Sequence, residues 1–155
     1  MLSLIHISEA LQERADVKRL IDRLNKRLTV NAVTQEGELP AEDPAELLRQ
    51  LDECLARLEM LMAKINLANS TTVVRGRTLT EMIARRDCLR ESIAAYQMII
   101  DVASQSTLRM ARTEIRTVRT VDVRALQKHV DALSAEQRRL DNEIQQTNWT
   151  TDISL

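Results

Sequence analysis

Asp43-Pro44-Ala45-Glu46-Leu47-Leu48-Arg49-Gln50-Leu51-Asp52-Glu53-Cys54-Leu55-Ala56-Arg57-Leu58-Glu59-Met60-Leu61-Met62-Ala63-Lys64-Ile65 is the stretch that decides the fold. It opens with an acidic residue suited to an N-cap, a proline at the first helical position and a glutamate three residues after the cap. Leu48, Leu51, Leu55, Leu58, Met62 and Ile65 then recur in alternating steps of three and four, which places them on one stripe of a helix. A second stripe, Leu47, Leu51, Cys54, Leu58, Leu61, Ile65 and Ala68, runs beside it. Two overlapping stripes make an apolar face wider than one partner helix covers, so this helix is expected between two neighbours at the centre of the core.

Outward from it, the same period recurs. Val17, Ile21, Leu24 and Leu28 define a helix over about 9–33, and the acidic loop 34–42 breaks it with Gly37 and Pro40. Thr78-Leu79-Thr80-Glu81 has capping-box spacing and starts a helix over about 78–104, with Met82, Leu89, Ile93, Tyr96 and Ile100 on its stripe. Asp122 caps a helix over about 122–146, striped by Val123, Leu126, Val130, Leu133, Leu140 and Ile144. Arg86 and Gln137 interrupt two of these stripes, and a polar residue on a seam can fix register at some cost in stability. Thr113–Val121 is β-branched and reads as extended, with Thr72–Arg75 as its expected partner in a short two-stranded β-ribbon. The expectation is a mainly α fold: an antiparallel helical bundle, or long helical hairpins with heptad-like seams. One helical domain spans 9–146. Residues 1–8, worded like translated adaptor sequence, are expected to be a non-native or disordered leader, and 147–155 a tail that Trp149 docks.

Composition fits this reading. The 155 residues include two glycines, two prolines and two aromatics, Tyr96 and Trp149, which disfavours turn-rich β folds and aromatic stacking platforms. Charge is uneven: nine basic and twelve acidic residues in 1–72, ten and six in 73–124, three and five in 125–155. Such an asymmetry favours association of unlike surfaces. Cys54 and Cys88 suggest no disulfide framework, and no stretch reads as a signal or a membrane span, so the expected compartment is the cytoplasm.

No set of side chains has the spacing of a catalytic centre. The acidic run Glu36, Glu38, Glu42, Asp43 and Glu46 sits in a loop and at a helix start, where carboxylates are favoured by the helix dipole. Leu126, not a glutamate, precedes His129 by three, so the ligand pattern of di-iron bundles is absent. No catalytic residue, metal site or cofactor is assigned. The one constellation with chemical promise is basic. Arg75 and Arg77 precede a helix start, while Arg112, Arg116 and Arg119, with Arg109, lie on the extended stretch. Gathered by a ribbon near a helix N-terminus, they would suit a phosphate, a carboxylate or a nucleic acid.

Ser8-Glu9-Ala10-Leu11-Gln12-Glu13-Arg14-Ala15-Asp16, Gln35-Glu36-Gly37-Glu38, Glu42-Asp43-Pro44, Gly76-Arg77-Thr78-Leu79-Thr80, Ile115–Asp122 and Asn148-Trp149-Thr150-Thr151 resemble a family of small bacterial septicolysin-like proteins. The resemblance implies a mainly helical protein, and the cytolysin-like name implies membrane damage. Taken together, the residues lead to the expectation of a non-enzymatic helical module that self-assembles as a homo-oligomer or binds a protein partner. The alternatives are an anion- or nucleic-acid-binding module and a membrane-active protein.

Overall fold

The computed structural model describes residues 4–105 and 118–154. Its elements are β1 (Leu4–His6), α1 (Ile7–Asn31), α2 (Pro44–Thr71), β2 (Val73–Val74), β3 (Arg77–Thr78), α3 (Leu79–Gln105), α4 (Val123–Thr150) and β4 (Asp152–Ser154). The protein is mainly α, as its periodicity predicts. Where one domain is expected, the chain forms two compact units: Met1–Val74 with Thr147–Leu155, and Arg75–Gln146.

The first unit is an antiparallel hairpin of α1 and α2. Glu13 pairs with Arg57 and Arg27 with Glu42, so one residue number rises as the other falls. Leu24 and Leu61 are fully buried, with Leu47 and Ile65 nearly so. Burial of such side chains stabilises the hairpin by roughly 1.5–3 kcal/mol each. The connector is held at both ends. Glu38 N–H donates to Gln35 O at 3.0 Å, across a turn in which Gly37 has φ +86°. A side chain is disfavoured there. Asn31, 6 % exposed, donates from Nδ2 to Arg27 O and accepts from Glu42 N–H, both at 2.9 Å. Asp43 then caps α2, accepting from Ala45 N–H at 3.0 Å.

Residues 4–8 and 147–154, expected as parts of a leader and a tail, are described as ordered parts of this unit. Leu4, Ile5 and His6 pair antiparallel with Ser154, Ile153 and Asp152, and Ile7 N–H donates to Thr151 O at 2.9 Å. The physical reason is burial: Ile7 is fully buried and Ile153 is 7 % exposed, so both ends have apolar anchors. Trp149 does not dock the tail, being 64 % exposed. Ile153 fills that role.

The second unit pairs α3 with α4, again antiparallel. Arg75, Arg85 and Tyr96 meet Glu143, Glu136 and His129 in turn. Its buried residues include Leu79, Met82, Leu89 and Ile100 of α3 with Val130 and Ile144 of α4, all but Leu79 on the expected stripes. Both helix starts are capped as expected. Thr78 N–H donates to Glu81 Oε2 at 2.7 Å while Glu81 N–H donates to Thr78 Oγ1 at 3.2 Å, and Asp122 Oδ1 accepts from Ala125 N–H at 3.0 Å.

The ribbon takes a different form from the one expected. Val73–Val74 pairs with Arg77–Thr78, through Arg75 (φ +49°) and Gly76 (φ +81°). Two successive left-handed residues make the two-residue loop that a twisted hairpin demands. This local pairing needs almost no loop closure, whereas pairing with Thr113–Val121 would close a loop of about forty residues. Of that stretch, 113–117 lie outside the described residues and 118–121 form no strand.

Candidate interaction surface

The α2 helix uses its two apolar stripes differently. Leu47, Leu61, Ile65 and Ala68 are buried and Leu51, Cys54 and Leu58 half-buried, which covers the second stripe. On the first, Leu48 (50 %), Leu55 (46 %) and Met62 (44 %) stay exposed. Within this unit, α1 and β4 are the elements that pack against α2. The exposed row follows from the period: positions seven apart shift by only about 20° around a helix, so Leu48, Leu55 and Met62 form a straight row beside the seam. Asp52 and Glu59 stand four residues after Leu48 and Leu55 on the same face and are exposed. Neither makes an ion pair or a hydrogen bond among the described residues. Ala45, Ala56 and Ala63 lie just beyond and are also exposed.

A second apolar surface belongs to the other unit. Met98 (65 %), Ile99 (44 %) and Val102 (66 %) of α3 and Val118 (76 %) line a cavity of about 370 Å³.

Of the basic constellation, the described residues Arg75 and Arg77 are not brought together with Arg119. Arg75 Nε lies 3.2 Å from Glu143 Oε1, and Arg77 sits just before α3. Arg119 is at the opposite end of that helix, where its Nε donates to Ala103 O at 2.8 Å and satisfies a terminal carbonyl. Leu79 to Ala103 at 1.5 Å per residue is about 36 Å, too far for these guanidinium groups to share one anion. Arg112 and Arg116, with Arg109, lie outside the described residues.

Glu42, Asp43 and Glu46 of the acidic run are engaged in local structure. Glu42 accepts from Arg27 Nε at 3.0 Å, a contact that pulls its carboxyl below the usual range. Glu46 is held down to about 2, first by Arg49 and then by Gln50. Arg86, the residue that interrupts the α3 stripe, is held by acids. Its side chain is 21 % exposed, 2.9 Å from Asp87 and 3.5 Å from Asp141 of α4, and Arg90 reaches the same Asp141 carboxylate at 3.7 Å. His129 is exposed and meets the Tyr96 ring edge-on with centroids 4.7 Å apart. Among the described residues, no group of three or more His, Cys, Asp or Glu is placed to hold a metal, and no helix is long and apolar enough to cross a membrane.

None of the curated proteins matches the chain. Among solved structures it is similar to the crystal structure of a functionally unknown conserved protein from Corynebacterium diphtheriae. The two are 36 % identical, with a TM-score of 0.90, over 97 % of this chain and 99 % of that one. The helical architecture is thus shared with an experimentally observed protein along nearly its whole length. The model of DUF6847, a family of unknown function, matches residues 14–153, and the chain belongs to that family.

Proposed function

We propose that the protein is a non-enzymatic helical interaction module that assembles with further copies of itself. The observation that carries this reading is the exposed row Leu48, Leu55 and Met62, each 44–50 % exposed, beside a seam that is otherwise closed. Heptad-spaced apolar residues left in water favour burial by another element. The two cysteines are free thiols, which supports a reducing compartment, the cytoplasm.

The other readings have less support. An anion or nucleic-acid site needs converging arginines, and Arg75 and Arg77 lie a whole helix away from Arg119. The membrane-active reading rests on the septicolysin-like resemblance alone, and release of dye from anionic liposomes would revive it.

Light scattering at tens of micromolar tests the proposal. A mass above that of one chain is expected, falling when Leu55 is replaced by glutamate. A compact, well-folded monomer at every concentration would sink the reading.

A further inference from the structure

We infer that the outer face of α4 binds the phosphate backbone of a nucleic acid duplex, through charge and without reading base sequence. The inference stands apart from the self-assembly reading and involves none of the arginines of the expected basic constellation.

Helix geometry sorts the charges of α4. At 3.6 residues per turn, Arg124, Lys128, Arg138 and Arg139 fall within an arc of roughly 100°. That arc lies opposite the side carrying Val130, Leu133, Leu140 and Ile144, and all four cations are exposed. Three of the helix's four carboxylates lie on its flanks and are taken up by arginines from outside the helix. Glu136 pairs with Arg85 at 2.9 Å and Glu143 with Arg75 at 3.2 Å, while Asp141 meets Arg86 and Arg90 at 3.5 and 3.7 Å. The cations of α4 are thereby left without an ion pair or hydrogen bond among the described residues. Arg139 shares a shallow hollow with Glu136 and Glu143, whose carboxylates are already engaged. The acid on the outer face is Asp131, which accepts from Gln127 Nε2 at 3.2 Å. Four positive charges thus stand against one negative, spread along about 22 Å of helix.

The residues among the cations decide which polyanion fits. An anionic membrane takes up a basic helix through an apolar face beside the charges. An acidic protein partner is held chiefly by aromatic or apolar anchors, and a single nucleic acid strand by aromatic side chains on which its bases stack. From Arg124 to Arg139 the outer face offers Gln127, Ala132 and Ala135 between its charges, and none of these anchors. A duplex needs none. It presents about one phosphate charge per 1.7 Å of axis, and cations alone bind it by releasing its condensed counterions.

Fluorescence anisotropy of a short labelled DNA duplex, titrated with the full chain, tests the inference. Four phosphate contacts give a slope of log affinity against log salt of about −3.6, a loss on the order of a hundredfold between 50 and 200 mM salt. Lys128→Gln combined with Arg138→Gln removes two contacts. The slope should fall to about −1.8 and the affinity at low salt about tenfold or more. Lys18→Gln combined with Lys26→Gln, at exposed positions of α1, removes the same charge elsewhere and should change affinity less than about twofold. Circular dichroism confirms that each variant folds, and both keep the α2 row, so the outcome bears on α4 alone. Absence of duplex binding at 50 mM salt would overturn the inference. So would equal losses from the two double variants, tighter binding of a single strand than of the duplex, or retention on phosphatidylserine vesicles with none on DNA.

Discussion

The two units solve one problem by different means. Each is a pair of long antiparallel helices that must keep its register, although residues seven apart on a leucine-rich seam look alike. The first unit does so chiefly at its ends, with the Glu13–Arg57 ion pair between them. The buried amide of Asn31 bonds Arg27 O and Glu42 N–H, and β1 and β4 tie the chain termini together beside the fully buried Ile7. The second unit fixes register along its length, where Arg85 reaches Glu136 at 2.9 Å and both Arg86 and Arg90 reach Asp141. A buried amide bonded to two backbone groups has one geometry and leaves a costly orphan when broken, whereas half-exposed ion pairs are screened and adjustable. The first unit is thus expected to resist local opening more than the second.

The largest expected effects come from the seams themselves. Leu24→Ala or Leu61→Ala in the first unit and Leu89→Ala in the second each remove a side chain at most 1 % exposed. Each should cost about 2–5 kcal/mol in urea denaturation. Hydrogen exchange makes this a test of the division. Leu89→Ala should loosen amides of α3 and α4 while those protecting α1 and α2 hold. Uniform loosening would erase the distinction between the units.

The two register devices come next. Asn31→Ala leaves the Glu42 N–H without its acceptor and should cost about 1–3 kcal/mol. Arg86→Ala removes a partly exposed ion pair while Arg90 still reaches Asp141. It should cost about 1 kcal/mol or less. Equal costs from the two substitutions would mean that the amide stitch is no stronger than the ion-pair ladder.

How much of this is legible in the residues follows from the same contrast. Period and caps reveal the four helices, because Asp43, Thr78 and Asp122 mark helix starts and each stripe repeats over several turns. The chain ends escape such a reading because three-residue strands carry too little pattern to stand out, and only burial of Ile7 and Ile153 singles them out. The ribbon finds the wrong partner on sequence grounds because β-branched composition favours extended structure without specifying what it pairs with, and Arg-Gly is not the usual signature of a tight hairpin. Asn31 gives no signal at all: an asparagine at a helix end is ordinary until its amide is seen to bridge two backbone groups. As for the candidate surface, both stripes of α2 are legible, but which one stays in water depends on where α1 lies. The basic constellation looks promising in the sequence because Arg75 and Arg77 stand close to a helix start, and the length of α3 that separates them from Arg119 does not register there.

Acid provides a subtler comparison. Glu46 titrates at about 2 in place of 4.5 because Arg49 and Gln50 bond its carboxylate, and Glu42 is lowered in the same direction by Arg27. Within that window the unfolded chain binds the proton that the folded chain refuses, so stability rises with pH. The contribution is complete above about 4.5 and is lost as pH falls towards 2. In the second unit Glu81 is lowered too, chiefly by the Thr78 N–H. Glu46→Gln should flatten the acid limb of a stability–pH curve without moving its neutral plateau far. A nuclear magnetic resonance titration placing the Glu46 midpoint at its ordinary value would remove the basis for this.

The smallest effect is expected at the hairpin loop, and it has the opposite sign. Arg75 holds φ +49°, a left-handed conformation in which a side chain costs roughly 1–2 kcal/mol and which asparagine tolerates better. Its guanidinium is 87 % exposed, and its ion pair with Glu143 at 3.2 Å is worth little in water. Arg75→Asn turns the loop into Asn-Gly, the sequence that this hairpin geometry favours most. The relief should exceed the lost pair, leaving a net gain of about 0.5 kcal/mol, read as a small rise in melting temperature. Arg75→Ala separates the two contributions, since it loses the ion pair but keeps the strained backbone. If the alanine variant is as stable as the asparagine one, the strain is not what limits the loop. If both fall well below wild type, the Arg75–Glu143 contact holds the second unit more firmly than its exposure implies, and the ion-pair ladder of that unit then extends to its first residue.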